Sequence, residues 1–343
     1  MKRSTRIWLL TAGALILVGC IVFAGVMTSM KWNFGKLSTV QLETRSYESG
    51  EAFRDVSATT DAADVVFVKS GDGVCRVECR ELPDAPHTVR VEDGVLVIKA
   101  QEDRDWTAYL GVGFETPRIT VYLPDAEYGA LTVHSGAGNV TVPDGFSFAS
   151  ADVTLGAGNA EFAADAAGAV RLKSGARNVS ASNVEVGALD ASVSAGRVTL
   201  TGVRCREDIT VDVTTGESRV SGAACQSIRS TGGTGSLLLV DVIAEERMEI
   251  ERSTGDVDLD GCDAGEISIK TSTGDVTASL LTQKVFLVES ATGSVDVPRT
   301  TRGGTCEVTS GTGDIEITIK VKSFRQIFSA LRDRCDSVGR VLF

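Results

Sequence analysis

Histidine, proline and aromatic residues are scarce in this 343-residue chain, which has two histidines, six prolines and 6% aromatics. Two histidines leave little for metal binding or acid–base catalysis. So few prolines exclude collagen, which needs glycine at every third position and also abundant proline. Lysine and arginine (34) are outnumbered by aspartate and glutamate (46), giving a net charge of −12. An acidic surface repels phosphate, so no nucleic acid is expected as a partner.

Glycine and apolar residues, in contrast, are abundant. The chain has 36 glycines, and apolar residues make up 43% of it. That apolar content is enough for a folded core. Many glycines with few prolines indicate tight turns between short elements.

The amino-terminal segment is a long apolar run. Residues 7–30 contain no charged side chain, and as a helix they would be roughly 36 Å long, enough to cross a hydrocarbon layer of ~30 Å. Lys2, Arg3 and Arg6 precede the run and favour a cytoplasmic amino terminus. The sequence therefore predicts a cytoplasmic tail (1–6) and a transmembrane helix (7–30). The protein would be a single-pass protein of the cell membrane with its remaining chain outside the cytoplasm.

Two other interpretations of this run remain open. It could be a cleaved signal peptide, or Leu17–Cys20 could be a lipobox at which a lipoprotein is cut and acylated on Cys20. Residues 21–27 stay apolar, however, which favours an uncleaved anchor. Residues 31–50 are polar without apolar periodicity, and we interpret them as a spacer.

The body of the chain is a repeat. A turn signature recurs, as in SGAGNVTV and STGDVDL, and its second glycine returns every 19 or 20 residues, with Arg177 in the third copy. The glycines are Gly138, Gly158, Gly196, Gly216, Gly235, Gly255, Gly274, Gly293 and Gly313.

Each repeat has the pattern of two strands. Apolar residues stand two and four positions after the turn glycine, with mostly polar residues between them, as in Val257-Asp258-Leu259. Such alternation is typical of strands with one buried face. One repeat cannot bury that face alone, but stacked copies can, because each strand pairs with the equivalent strands above and below, ~4.8 Å away. We therefore predict an all-β fold, a single-stranded β-solenoid with coils of 19–20 residues over 131–320.

The segments that flank the repeats lack their regular 19–20-residue spacing. Residues 51–130 contain strand patterns of variable spacing, and we expect an irregular β segment that caps the first coil. Residues 321–343 are basic, with apolar residues at helical spacing. They predict a C-terminal amphipathic helix that caps the last coil, or alternatively binds a membrane surface or a partner.

The chain resembles a known family over most of its length. The run VEDGVLVIKAQED, then RITVYLPDAEYGALTVHSGAGNVTV, then reiterated STGDV units, resembles the bacterial putative-adhesin domain, a large family of unknown function. The resemblance covers roughly residues 51–320. It implies a right-handed β-helix on an envelope-exposed protein, often behind one membrane helix and in some members associated with envelope stress. It implies no catalytic residues, and the basic tail departs from the pattern.

Candidate catalytic or metal-binding residues are few. His87 lies in a proline-flanked segment and His134 in a strand. Asp258, Asp296 and Glu316 share an outward column with Arg219, which we interpret as a solvated sheet face. We therefore predict no catalytic, cofactor-binding or metal-binding residues, no cofactor, and a protein that is not an enzyme.

A second polar column follows the turn glycines. It contains asparagines and aspartates that could hydrogen-bond within their own turns, and a calcium site along it is the less favoured alternative. Its members are Asn139, Asn159, Asn178, Asp256, Asp275 and Asp314.

Seven cysteines lie beyond the apolar run, so they cannot all pair within the chain. Cys205 and Cys225 each fall nine residues after a turn glycine, so stacking would bring them within disulfide reach. A disulfide between them therefore stays open. Cys75 and Cys79 lie too far apart on one strand to bridge, and Cys306 is expected to be an inert core thiol.

These patterns predict a non-enzymatic surface protein of the cell envelope. We expect an adhesin whose solenoid binds a cell-envelope polymer or an envelope protein. One alternative is a membrane-anchored accessory or sensor of an envelope-stress response. A more remote alternative is a carbohydrate-active enzyme, which would need a carboxylate pair facing one groove.

Overall fold

The structure is a computed structural model that describes residues 3–29, 31–32, 42–83, 85–101 and 116–320. The expected C-terminal helix at 321–343 lies outside the described residues. The described part contains one helix, α1 (Arg3–Ser29), and 26 strands. The strands are β1 (Glu43–Ser49), β2 (Asp55–Thr60), β3 (Asp64–Lys69), β4 (Cys75–Glu81), β5 (His87–Glu92), β6 (Val95–Ala100), β7 (Arg118–Leu123), β8 (Glu127–Ser135), β9 (Val140–Val142), β10 (Ser147–Ala157), β11 (Ala160–Phe162), β12 (Asp165–Ala176), β13 (Val179–Ser182), β14 (Glu185–Thr201), β15 (Arg204–Cys205), β16 (Asp208–Ser221), β17 (Ala224–Thr234), β18 (Leu237–Val240), β19 (Ile243–Thr254), β20 (Val257–Cys262), β21 (Glu266–Thr273), β22 (Val276–Leu280), β23 (Lys284–Thr292), β24 (Val295–Asp296), β25 (Gly304–Thr312) and β26 (Ile315–Ile319).

Helix α1 contains the apolar run. Its segment Thr11–Ser29 has 19 residues with a mean hydropathy of 2.2, so it is long and apolar enough to cross a membrane. Its place near the amino terminus is also where a signal sequence would lie. The predicted apolar helix is therefore confirmed as a helix.

The remaining described chain forms a β-solenoid of about ten turns, as the repeat predicts. Equivalent strands of neighbouring coils pair in parallel and in register: β12 lies between β10 and β14, and β18 between β16 and β20. The inward residues at the two apolar positions form one continuous core. Examples are Val257 and Leu259, which are both fully buried. Each such side chain contributes about 1.5–3 kcal/mol by leaving water.

The turn glycine is required by both conformation and space. Gly235 has φ +129°, a value that side chains disfavour. A Cβ at Gly235 would lie 1.8 Å from the carbonyl oxygen of Gly216 in the coil below. Arg177, the exception in the column, keeps the turn with φ +121° and therefore stores backbone strain.

The coils do not stack in chain order at the carboxyl end. Strand β25 lies between β21 and β23, and β26 lies between β22 and β24. The last described coil (304–319) is therefore inserted inside the preceding one (284–297), which becomes the outermost. Either order keeps the repeat in register, because both coils are whole repeats. Pro298, which directly follows the outermost coil, has no N–H to donate to a neighbouring strand and favours an edge position.

The amino end shows the same inversion. Strand β2 lies between β6 and β8, and β3 lies between β7 and β9. The first coil (55–69) is thus inserted inside a later one. Antiparallel pairing covers this end: β4 pairs with β7 and β1, and β5 pairs with β6.

Strand β1 differs from the expected spacer at 31–50. Its sequence, ETRSYES, has no apolar periodicity, yet its backbone pairs with all seven residues of β4. Main-chain hydrogen bonds do not depend on side-chain pattern, so a polar edge strand of this kind carries no hydrophobic signal.

Arg252 is a charged side chain that points into the core. Arg252 is 4% exposed, and its guanidinium donates to the hydroxyls of Ser218 (3.0 Å) and Ser230 (2.8 Å) and to the carbonyl of Thr231 (3.3 Å). Burial lowers the pKa of Arg252 to about 10. The space for the guanidinium exists because residue 232, in the neighbouring coil, is glycine.

Candidate binding groove

Small side chains line one corner of the solenoid, just after the second strand of each coil. A cleft of about 730 Å³ opens there. We call it the corner groove. Its floor is a column of buried residues on four successive coils, which spans about 14 Å at ~4.8 Å per coil. The floor residues are Ala166, Val186, Cys205 and Cys225. Ala244 and Ala264 continue this column along a neighbouring cleft.

The rims of the corner groove carry both signs of charge. Arg204 pairs with Glu185 of the coil below (3.1 Å), with both side chains mostly exposed. Arg206 donates a hydrogen bond to the carbonyl of Ala167, two coils away. An exposed ion pair such as Arg204–Glu185 contributes little to the stability of the fold. The charged groups therefore remain available to a ligand.

A second cleft of about 660 Å³ continues the corner groove toward the carboxyl end, because Ile243 and Glu245 line both. Ile243 is 39% exposed and is the large apolar side chain at the junction. Lys284 and Asp263 form a buried ion pair of 2.7 Å in this second cleft. The groove is thus an open channel parallel to the solenoid axis, with an apolar floor and charged rims.

The two thiols on the floor are not activated. Burial raises the pKa of Cys205, and it raises the pKa of Cys225 to about 12. Both groups therefore stay as thiols at neutral pH and are poor nucleophiles. They lie on adjacent coils, as the spacing predicted, and both are free cysteines in the structure.

The structure places His87 at the start of β5, where it is buried. Its Nδ1 lies 2.7 Å from Oε2 of Glu81, and its Nε2 lies 3.0 Å from the hydroxyl of Thr60. The order hydroxyl, imidazole, carboxylate is that of a catalytic triad. All three residues are at most 5% exposed, however, so no substrate can reach the hydroxyl. The three groups instead connect β2, β4 and β5.

The other candidate residues lie apart from the corner groove. His134 is exposed on β8. Asp296 and Glu316 are exposed neighbours on adjacent coils, whereas Thr277 separates Glu316 from Asp258. This carboxylate pair lies on a sheet face and not in the corner groove. Burial and the nearby Asp256 raise the pKa of Asp258.

The asparagine and aspartate column forms hydrogen bonds between coils, which differs from the expected bonds within each turn. The side-chain oxygen of Asn139 accepts the N–H of Asn159 at 2.9 Å, and that of Asn159 accepts the N–H of Asn178 at 3.2 Å. Asp256 and Asp275 continue this pattern. Stacking at ~4.8 Å brings each side chain closer to the next coil's N–H than a turn-only view suggests. Within the described residues no group of three or more potential metal ligands occurs.

Sequence reasoning missed the corner groove. The floor residues are all small but differ in type, since alanine, valine and cysteine all occur in the column. The spacing of Cys205 and Cys225 was the available signal, because both occupy this column. Extending that position to the other repeats would have located the floor.

Comparisons with known proteins give one family and several solved structures. The Toastrack DUF4097 family profile matches residues 53–234 and again 188–329. A putative adhesin of Bacteroides fragilis NCTC 9343 is 13% identical, covering 81% of this chain and 97% of that one, with a TM-score of 0.38. A putative adhesin of Parabacteroides merdae ATCC 43184 is 10% identical over 81% and 97%, with a TM-score of 0.41. A putative lipid binding protein of Parabacteroides distasonis ATCC 8503 is 15% identical over 83% and 98%, with a TM-score of 0.32. No curated protein sequence gave a match.

Proposed function

The chain belongs to the Toastrack DUF4097 family, and from that premise we propose that it is a non-enzymatic surface protein of the cell envelope. Its solenoid binds an extended ligand, either a cell-envelope polymer or a segment of an envelope protein, along the corner groove. The continuity of the groove over successive coils carries this proposal. A linear ligand can repeat the same weak contacts at each coil, and such contacts add up without any deep pocket.

The chemistry of the groove supports binding without reaction. The floor is apolar and contributes contact area, whereas the rims offer Glu185, Arg204 and Glu245 as hydrogen-bonding groups. The thiols are held protonated by burial. A ligand with alternating apolar and polar edges fits this arrangement, and the net charge of −12 disfavours nucleic acid.

Membrane attachment is part of the same proposal. We infer that α1 anchors the protein as a single-pass membrane protein, with the solenoid outside the cytoplasm and the amino terminus inside. Protease treatment of intact cells tests this topology. Digestion of the solenoid in intact cells supports it, and protection until lysis contradicts it. The mass of the amino-terminal peptide distinguishes a retained anchor from cleavage and acylation at Cys20.

Binding is tested by co-sedimentation of the solenoid, residues 37–343, with isolated cell walls. We expect saturable binding that Ile243→Arg weakens about tenfold, which corresponds to about 1.4 kcal/mol. Thr277→Arg is the matched control, because Thr277 is exposed on a sheet face away from the groove. Equal binding by both variants and the unmodified protein would exclude the corner groove as the site. Absence of wall binding would redirect the search to an envelope protein, by cross-linking in cells.

A further inference from the structure

Strand β1 is held on the solenoid mainly by its backbone. It pairs with β4 alone among the described strands, and none of its seven side chains is buried. The next strand along the chain, β2, pairs with β6 on one side and with β8 on the other, and its Val56 and Ala58 are buried. Because β1 has few buried apolar contacts, we expect it to open at a lower free energy than β2.

Two side chains of β1 supply its remaining contacts. Tyr47 packs against the core, and its hydroxyl donates to the carbonyl of His87 at 3.2 Å. Arg45 lies 3.6 Å from a carboxylate oxygen of Glu43 and 3.6 Å from one of Glu81. It thus bridges two like charges that face each other across the strand pair, an arrangement that is otherwise destabilising. The bridged oxygen of Glu81 is buried and accepts no hydrogen bond from the described residues, so release of β1 would let water reach it.

The position of β1 in the chain decides where a pull on the anchor is felt. It is the first described strand after α1, so any pull on α1 reaches the solenoid through the Glu43 end of β1. The antiparallel register places Glu43 opposite Glu81 and Ser49 opposite Cys75. The pairs nearest Glu43 therefore bear the pull first, and β1 would open from Glu43 toward Ser49.

We propose that β1 is a releasable strap between the membrane anchor and the solenoid. It peels from β4 when α1 and the ligand-bound solenoid are pulled apart, while the coils stay folded. Release frees residues 43–54, twelve residues with a contour length of about 40 Å. The solenoid then keeps its ligand while its distance from the membrane changes. The source of the tension rests on the proposed membrane attachment, whereas the peeling itself does not.

Single-molecule force measurements on the full chain in detergent micelles test the strap. Handles are attached through Leu42→Cys, next to the start of β1, and through Thr277→Cys, which is exposed on the solenoid. The background is Cys20→Ser, and the buried native thiols react slowly. Pulling at residue 42 loads β1 directly and leaves α1 out of the force path. We expect a low-force step with a contour length of at most about 40 Å before any coil of 19–20 residues is lost.

Engineered disulfides distinguish the peeling of β1 from other openings. Arg45→Cys stands directly opposite the native Cys79, at a separation that a disulfide can span. Its oxidised form ties the end of β1 that bears the pull and should lose the step. Reductant should restore the step at a lower force, because the bridge made by Arg45 is missing. The chain without Arg45→Cys, oxidised in the same way, is expected to keep its step.

A second disulfide is the matched control. Ser49→Cys stands opposite the native Cys75 and, when oxidised, ties the far end of β1. We expect its step to persist but to shorten, because release then stops at residue 48. Tyr47→Ala should raise the rate of release at constant force about tenfold, because it removes the contact of β1 with the core. Ser46→Ala, on the exposed side of β1, should leave that rate unchanged.

Three outcomes separate the strap from its alternatives. A first step as long as a whole coil would overturn the proposal, because the amino end would then unfold coil by coil. Survival of the full step in the oxidised Arg45→Cys variant would overturn it as well, because the released segment would lie elsewhere. Failure of the proposed membrane attachment would leave the step intact and would show only in the protease experiment on cells.

Discussion

The contact between Gly232 and Arg252 predicts a strong energetic coupling between these two positions. A Cβ at Gly232 would lie 1.6 Å from Nη1 of Arg252 and 2.6 Å from its Cζ. The variant Gly232→Ala must therefore displace the guanidinium. Because the guanidinium is buried, displacement breaks its hydrogen bonds to Ser218 and Ser230.

The expected magnitude follows from those bonds. Overpacking costs about 1–3 kcal/mol, and each hydrogen bond to a charged group contributes about 1.5–3 kcal/mol. With partial relaxation, we expect Gly232→Ala to lower the free energy of unfolding by about 2–4 kcal/mol. In an Arg252→Thr background the space is empty. There the same change should be neutral or stabilising by up to about 1 kcal/mol, because alanine restricts the unfolded chain more than glycine does.

The measurement is a double-mutant cycle on unfolding by urea, with circular dichroism as the probe. Native-state hydrogen exchange in β16, β17 and β19 checks that unfolding is not confined to another region, since solenoids can unfold in steps. We expect a coupling of about 2–5 kcal/mol, well above the ~0.5 kcal/mol of independent sites. Gly71→Ala is the control, because nothing lies within 4 Å of its added Cβ. Additive effects at Gly232 and Arg252 would refute the buried guanidinium.

Three further predictions concern the turn column, the buried ion pair and the thiols. Gly235→Ala should destabilise the fold by about 2 kcal/mol or more, because its Cβ would clash with the carbonyl oxygen of Gly216 and alanine disfavours the positive φ. Arg177→Gly should instead stabilise the fold by about 1 kcal/mol, because it relieves backbone strain. Urea unfolding midpoints measure both changes, and effects of the same sign and size would contradict the turn geometry. Lys284→Met should cost about 3–5 kcal/mol because it leaves Asp263 buried without its cation, and adding Asp263→Ala should recover much of this loss in thermal unfolding. Burial raises the pKa of Cys225 and Cys306 to about 12, above the usual value near 9, so the native state holds these protons more tightly. Their contribution to the free energy of unfolding is therefore complete below about pH 9 and declines as the pH rises toward about 12. We expect both thiols to be alkylated slowly at pH 8 in the native protein and fast in urea. Equal alkylation rates in the two states would contradict the burial of the thiols.

The repeat was predictable because its causes are local and recur. Every turn of this column except the one at Arg177 has glycine, which allows the same close approach to a neighbouring coil. The requirement therefore appears in the sequence at a fixed spacing. The apolar helix was predictable for a similar reason, since a long uncharged run has few other uses. Neither prediction required knowledge of long-range pairing.

Other features depend on contacts that the spacing does not encode. Strand β1 is polar and pairs through its main chain, so hydropathy gave no sign of it. The buried environment of His87 depends on Glu81 and Thr60, which belong to two other strands. The corner groove arises because the side chains on its floor are small. The alternation of apolar and polar residues carries no information about side-chain volume. Arg252 would have been placed on the surface by its charge, and only the neighbouring glycine makes room for it.

The order of the coils shows most clearly where periodicity stops being informative. In a regular stack every coil fits every neighbouring position, so the repeat is equally satisfied by sequential or inverted order. The choice then depends on irregular residues such as Pro298, which disfavours an interior position.

Inversion also changes how the ends of the solenoid are held. In a sequential stack the terminal coil has one interface and frays first, because stability is a sum of nearest-neighbour terms. Here the first coil and the last described coil each have two interfaces, so neither can detach without breaking both. The outermost coils are in turn connected on both sides to coils further along the chain. Within the described residues, we therefore expect fraying at the carboxyl end to begin in residues 284–297, where the inward-facing Val295 is 44% exposed.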